Sequence, residues 1–227
     1  MVPSSNQARL QSVAGPKQAR SEQTLARLLD AAEQLIAERG FTAVSIPDIV
    51  QAARSSVGGF YARFRDKNEL LMGLEERFHG EVEARLGRLL EPGRWDGLPL
   101  SLMIEAAVRE LVTVTRQRQR LLAAFLHRAL IEPRFRADAV EFRRRAARGF
   151  VELILGRETS LTHPDPALAV DLGVQAALAL MQQHVLFGET EAAGRRLGDG
   201  DLEREITDLF LRYIGARGSP VLPLAPG

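Results

Sequence analysis

The sequence has no cysteine, no long hydrophobic run and almost no excess of charge. Without cysteine there is neither a disulfide framework nor a thiolate metal site, which fits a reducing environment. The formal net charge of +1 does not mark a nucleic-acid binder, so such a role depends on local concentrations of basic residues. No run approaches the roughly 18 to 20 apolar residues of a membrane span, and the N-terminus lacks a signal-peptide core. We therefore expect a cytoplasmic protein that does not enter the membrane.

Catalytic and metal-binding patterns are also missing. The four histidines, His79, His127, His163 and His184, lie far apart without the spacing of metal ligands. No serine-histidine-acid or phosphate-loop arrangement occurs, so catalysis has no candidate residues. We expect no enzyme activity, no metal and no cofactor.

Apolar residues recur at helical spacing along the chain, and neither a strand period nor an internal repeat is evident. The pattern predicts an all-α protein with about nine helices. The domain prediction is a disordered arm over residues 1–20, a three-helix helix-turn-helix domain over 21–66, a helical body over 67–217 and a disordered tail over 218–227. The individual helices are predicted at about 21–39, 46–53, 57–64, 66–90, 98–115, 121–131, 135–155, 167–187 and 202–213.

The stretch from Ser45 to Leu70 has the outline of a helix-turn-helix followed by a supporting helix. Ser45 and Ser56 are placed to cap two short helices. Asp66, with Glu69 three residues later, opens the next helix as a capping box. Two adjacent glycines cost the second short helix roughly 2 kcal/mol relative to alanine. Such a cost indicates a close approach to another surface, either the preceding helix or DNA.

Several residue types in this stretch suit contact with a DNA backbone. Backbone N–H groups at the helix starts that follow Ser45 and Ser56 attract phosphates. Tyr61 and Lys67 can both reach a phosphate, and Arg63 adds a positive charge beside them. These five residues are the predicted phosphate contacts.

The second short helix carries few groups that can read base edges. Val57, Gly59 and Phe60 are predicted to face the bases, where valine and phenylalanine contact thymine methyl groups but make no hydrogen bonds. Arg54 or the N-terminal arm can add to this readout. The complete candidate DNA-binding set is Ser45, Arg54, Ser56, Val57, Gly58, Gly59, Phe60, Tyr61, Arg63 and Lys67.

At these residues the sequence resembles the DNA-binding domain of the TetR (tetracycline repressor) family of transcriptional regulators. Four positions depart from the family pattern: Val50, Arg54, Ser55 and Arg63. The most consequential is Arg54, which replaces a turn glycine that accommodates positive φ. The family pattern is matched at Ile49, Ala53, Ser56, Gly58, Tyr61, Phe64, Lys67 and Leu70.

The resemblance implies a ligand-responsive regulator, most simply a homodimeric repressor that binds a palindromic double-stranded DNA operator and is released by a small apolar or amphipathic effector. The last two helices, Ala167 to Phe187 and Leu202 to Ile214, would pair across the two-fold axis, and their apolar faces independently suggest a four-helix contact. An intrachain core is the alternative for these faces. A helical interaction or ligand-binding protein with a degenerate head is the alternative function, and activation in place of repression also stays open.

The resemblance further implies a small-molecule pocket inside the helical body. Large apolar residues and two histidines on the predicted helices are the candidates for lining it, and ordinary core packing is the alternative for each. The candidates are Leu102, Met103, Phe125, His127, Phe142, Phe150, Met181, His184 and Phe187.

Overall fold

The computed structural model describes residues 16–91, 93–157, 161–188 and 190–216. Within these ranges the chain forms nine helices and one short hairpin, which confirms the all-α prediction. The chain divides into two compact units after Glu75. We call the first unit the head and the second the body. The elements are α1 Pro16–Arg39, α2 Ile46–Ala52, α3 Val57–Tyr61, α4 Lys67–Leu89, α5 Leu100–Gln117, α6 Gln119–Ile131, α7 Pro133–Arg157, α8 Pro166–Phe187, β1 Thr190–Ala192, β2 Arg195–Leu197 and α9 Asp199–Ile214.

Helix α1 begins inside the segment for which an arm was predicted. It starts at Pro16, so the prediction of an arm is wrong for residues 16–20, while residues 1–15 and the predicted tail lie outside the described residues. Proline is pre-organised for the first helical position, and lysine, glutamine, alanine and arginine after it favour a helix. The helix ends as predicted, because Gly40 has a φ of 79° and donates its N–H to the carbonyl of Ile36 at 2.8 Å.

The first turns of α4 belong to the head. Gly73 on α4 lies so close to α1 that a Cβ atom there would be 3.4 Å from side-chain atoms of both Leu29 and Phe64. The head core also contains Ile49 and Phe60, both completely buried. The division after residue 75 is therefore later than the predicted boundary at residue 66.

The start of α4 keeps half of its predicted capping box. The Asp66 carboxylate accepts the N–H groups of Asn68 and Glu69, both at 2.8 Å, as an N-cap should. The Glu69 carboxylate accepts the N–H of Arg65 at 2.5 Å, one residue before the position that the capping box requires. The two hydrogen bonds from Arg65, backbone first, lower the pKa of Glu69.

The core of the body is formed mainly by α5, α7, α8 and α9. Helices α8 and α9 pack closely because Gly173 has no side chain: a Cβ atom there would lie 2.9 Å from the ring of Phe210. Helix α8 is apolar on most of its faces, as predicted. Even so, none of the described helices is long and apolar enough to cross a membrane.

A short antiparallel hairpin precedes α9, so the absence of a strand period misled the prediction at residues 190–197. Ala192 pairs with Arg195, which leaves Ala193 and Gly194 as a two-residue loop. Both loop residues have positive φ, 52° and 75°, as a type I′ turn requires. Strands of three residues are too short for an alternating pattern to be seen in sequence.

Candidate nucleic-acid interface

Helix α2 begins with a complete capping box. The Ser45 hydroxyl accepts the N–H of Asp48 at 3.3 Å and donates to the Asp48 carboxylate, which also accepts the N–H of Ser45 at 2.9 Å. The hydroxyl bond first, and then the backbone bond, lower the pKa of Asp48. The predicted cap at Ser45 is thus confirmed, and the start of α2 is held by side chains of its own first turn.

The two glycines of α3 meet different surroundings. The Ser56 hydroxyl caps the helix by accepting the N–H of Gly59 at 2.9 Å. A Cβ atom at Gly59 would lie 2.8 Å from the Ser55 hydroxyl and 3.2 Å from that of Ser56, whereas one at Gly58 would meet nothing within 4 Å. A side chain at Gly59 would therefore displace the Ser55 hydroxyl and crowd the capping hydroxyl of Ser56, whereas Gly58 borders open space.

Helix α3 is shorter than predicted. It ends at Tyr61, three residues before the expected end at Phe64, and the chain continues as a turn in which the N–H of Arg63 reaches the carbonyl of Phe60 at 2.9 Å. Bonds of this i to i−3 kind are common where a helix ends. The exposed surface of α3 is consequently little more than one turn.

Phe60 does not face outward, so its prediction as a residue near base edges is wrong. The side chain is 0% exposed, and its ring packs against those of Tyr61 and Phe64 at centroid distances of 5.4 and 5.5 Å. Val57 and Tyr61 are 52% and 55% exposed. At 100° per residue, Val57, Gly58 and Tyr61 share one face of the helix and Phe60 falls outside it. The outward surface of α3 is this three-residue face.

Lys67 is bonded within the head. Its ammonium donates to the carbonyl oxygens of Phe41 and Val44, both at 2.8 Å, and lies 4.4 Å from the centre of the Phe41 ring. Burial lowers the pKa of this ammonium. Lys67, which the sequence predicts as a phosphate contact, thus holds the loop between α1 and α2 against α4.

Arg54 adopts the backbone conformation of the glycine that the family pattern has at this position. Its φ is 47°, in the left-handed region. Its N–H reaches the carbonyl of Gln51 at 3.1 Å, and the next N–H, of Ser55, reaches that of Val50 at 3.0 Å. These two bonds form a Schellman motif. The turn geometry is therefore kept, and the exposed arginine side chain points away from the core.

Replacing Arg54 by glycine is expected to stabilise the head. A positive φ is unfavourable for a residue with a Cβ atom, so glycine relieves this cost. Part of the gain is offset by the greater freedom of glycine in the unfolded chain. We expect the free energy of unfolding to rise by about 0.5–1 kcal/mol, measured by urea denaturation. Arg54→Lys, which retains the Cβ atom, should leave it unchanged. A destabilised glycine variant would contradict the observed turn.

The ligand-pocket candidates fall into several environments. Met103, Phe150 and Met181 belong to the buried core of the body. The ring of Phe125 lies 5.8 Å from that of Phe78, and the ring of Phe142 stacks on His79 at 3.8 Å. Burial first, and then the charge of Arg145, lower the pKa of His79.

The remaining pocket candidates lie at or near the surface. Leu102 is 44% and Phe187 is 80% exposed, and His127 is also exposed. His184 is half-buried, with its Nδ1 atom 3.3 Å from the Thr190 hydroxyl. The exposure of these residues argues against one enclosed pocket that they share with the core candidates.

An apolar groove lies on the body between α8 and α9, and the sequence did not predict which residues line it. Its volume is about 240 Å³, and on α8 and α9 it includes the large exposed side chains Leu172, Leu209 and Tyr213. Because α8 is apolar on most faces, periodicity alone does not show which face is exposed. The lining residues are Leu172, Gly173, Ala176, Ala177, Ile206, Leu209, Phe210 and Tyr213.

Comparison with known proteins bears on the head most directly. Residues 28–73 match the family model described as bacterial regulatory proteins, tetR family. The chain is 33% identical over 106 residues to the HTH-type transcriptional regulator AcrR of Shigella flexneri, covering 45% of this chain and 47% of AcrR. It is 34% identical over 70 residues to the HTH-type transcriptional repressor NemR of Escherichia coli K12, covering 31% of this chain and 35% of NemR. The chain thus spans less than half of either curated relative.

The fold comparison covers more of the chain. A transcriptional regulator from Rhodococcus sp. Rha1 aligns with 84% of this chain and 95% of its own length, with a TM-score of 0.63 and 20% sequence identity. At this identity the likeness concerns the fold alone. Because 84% of the chain is aligned, the likeness extends over much of the helical body.

Proposed function

We propose that this chain, whose residues 28–73 match the model of the tetR family of bacterial regulatory proteins, is a homodimeric, ligand-responsive repressor that binds a palindromic DNA operator in the cytoplasm. The observation that carries this proposal is the outward face of α3, formed by Val57, Gly58 and Tyr61. The head also contains the capped N-termini of α2 and α3, where backbone N–H groups attract phosphates. Arg54 retains the turn between these helices, which weighs against a degenerate head.

Contact with DNA explains the open space at Gly58. A glycine inside a five-residue helix is unfavourable by about 1 kcal/mol relative to alanine. Packing within the described head does not require glycine at this position, because a Cβ atom would meet nothing within 4 Å. A base edge or sugar-phosphate chain that approaches the backbone of α3 does require glycine, because a methyl group would hold the two surfaces apart.

The groove of the body supports the proposed dimer. Leu172 and Leu209 are 44% and 52% exposed, and they lie in the same apolar groove of α8 and α9. Exposed apolar surface of this kind usually marks a contact with another protein. A second copy that presents the same groove across a two-fold axis forms a four-helix contact, in agreement with the expected pairing of the last two helices.

The proposed response to an effector is a shift between two populations of the dimer. Two heads that bind one palindrome must match half-sites about 34 Å apart. An effector that binds better to dimers with another spacing of the heads lowers operator affinity by no more than its differential affinity. Helix α4, which contributes residues to both units, is the proposed transmitter.

The test is selection of duplexes from a random-sequence DNA library by the full-length protein, with Gly58→Ala as the matched variant. We expect the wild type to enrich a palindrome whose half-site centres are about one helical turn apart. Gly58→Ala should be at least as stable as the wild type, because alanine favours the helix. It should nevertheless bind the selected duplex about tenfold more weakly, a difference of about 1.4 kcal/mol.

Two outcomes would overturn the proposal. One is a wild-type protein that enriches no duplex at all, which would favour a role in binding other proteins. The other is a Gly58→Ala variant that binds the duplex as tightly as the wild type, which would remove α3 from the interface. Thermal unfolding of both proteins separates these results from loss of folding.

A further inference from the structure

We propose that Arg63 is a positioning residue for the DNA-reading helix, acting through Ser21 of α1, and not a phosphate contact. The inference rests on the proposed DNA-binding function and assigns Arg63 a different role in it. It also makes Ser21, on the first helix, part of the machinery for DNA binding.

The guanidinium of Arg63 links two helices of the head. One terminal nitrogen, Nη1, donates to the carbonyl of Gly59 in α3 at 2.9 Å. The other, Nη2, donates to the carbonyl and the hydroxyl oxygen of Ser21 in α1, at 3.1 and 3.0 Å. A single planar side chain therefore joins the end of α3 to α1.

Helix α3 needs such a link because it is weak by itself. It has five residues, including Gly58 and Gly59, whereas an isolated helix shorter than roughly 12–15 residues is marginal in water. Its N-terminus is held by the Ser56 hydroxyl. Its C-terminal carbonyls need partners too, and Arg63 supplies one of them at Gly59.

The surroundings of Arg63 differ from those of an arginine that reaches for DNA. The residue is half-buried, and its two terminal nitrogens are both engaged with backbone or hydroxyl oxygens. Among the described residues, its Nε is buried and lacks a hydrogen-bond partner. Arg54, by contrast, is exposed. Because Nη2 donates to both the carbonyl and the hydroxyl oxygen of Ser21, a phosphate contact through Nη2 would break the link between α1 and α3.

The experiment measures the affinity of full-length variants for the duplex selected by the wild type, as a function of salt concentration. Arg63→Met should lower the affinity about tenfold, a loss of about 1.4 kcal/mol, without changing the slope of log affinity against log salt. A lost phosphate contact would reduce that slope by about 0.9. Arg54→Gln serves as the control for a lost exposed charge.

Ser21→Ala provides the second variant. It removes only a hydroxyl from an exposed position of α1, so the head should remain folded. We expect Ser21→Ala to weaken binding about threefold, as loss of one hydrogen bond does, and to have no effect when added to Arg63→Met. Hydrogen exchange in the segment that contains α3 should accelerate in both single variants.

The outcomes distinguish a failure of the positioning role of Arg63 from a failure of the proposed DNA-binding function. A wild-type protein that binds no duplex refutes the function itself. A wild type that binds, with Arg63→Met lowering the slope by about 0.9 and Ser21→Ala without effect, keeps the function and overturns the positioning role. If Arg63→Met does not fold, a Ser21→Ala variant that binds the duplex as tightly as the wild type is sufficient to overturn the positioning role.

Discussion

Replacing Phe60 by alanine is expected to destabilise the head by about 3–5 kcal/mol, the usual range for a fully buried phenylalanine. The side chain is 0% exposed and its ring contacts the rings of Tyr61 and Phe64, so its removal leaves a cavity between α3 and the rest of the head. Hydrogen exchange of head peptides, followed by mass spectrometry, measures the loss separately from the body.

Tyr61→Ala is the matched control on the same helix. Tyr61 is 55% exposed, so its truncation should change the free energy of unfolding by less than about 1 kcal/mol. Under the proposed function it should weaken DNA binding, because the phenol lies on the outward face of α3. A Phe60→Ala variant as stable as the wild type would contradict the burial of Phe60. A Tyr61→Ala variant that binds DNA as tightly as the wild type would contradict the role of the outward face of α3.

Leu172→Glu is expected to convert the proposed dimer into a monomer. Leu172 is 44% exposed in the groove of α8 and α9, so a glutamate at this position can be solvated in the isolated chain but not in an apolar dimer contact. We expect the dimer dissociation constant to rise at least about 100-fold, measured by sedimentation equilibrium. Operator affinity should fall by about two orders of magnitude or more, because a monomer loses the linkage between two half-sites.

Leu130→Glu provides the control for this change. Leu130 on α6 is 69% exposed and is not part of the groove, so the same substitution alters hydrophobicity and charge away from the proposed contact. It should leave both dissociation constant and operator affinity unchanged. A dimer that survives Leu172→Glu but dissociates in Leu130→Glu would place the contact on another face.

The features predicted well from sequence are those that depend on neighbours in the chain. The caps at Ser45, Ser56 and Asp66 join groups three residues apart or fewer, so the residue types and their spacing are sufficient. The end of α1 at Gly40 is local in the same sense. Helix bounds accordingly agree with the prediction over most of the body.

The features that sequence reasoning missed depend on distant contacts. Phe60 was assigned to the wrong face because a helix of five residues is too short for the spacing of its apolar residues to define a buried side. Lys67 and Arg63 are common residue types for a DNA surface. Their carbonyl partners, at Phe41 and Ser21, lie 26 and 42 residues earlier and are specified by the fold of the head. No local pattern indicates such partners.

The link between Arg63 and Ser21 also has a consequence for the order of folding. It closes a loop of 42 residues, which carries an entropic cost that local hydrogen bonds do not. Helix α3 cannot gain this link until α1 has formed and docked, so we expect α3 to be among the last parts of the head to order during folding. This order of folding predicts a φ-value from folding kinetics near zero for a mutation of Arg63 and a larger one for a mutation in the middle of α1.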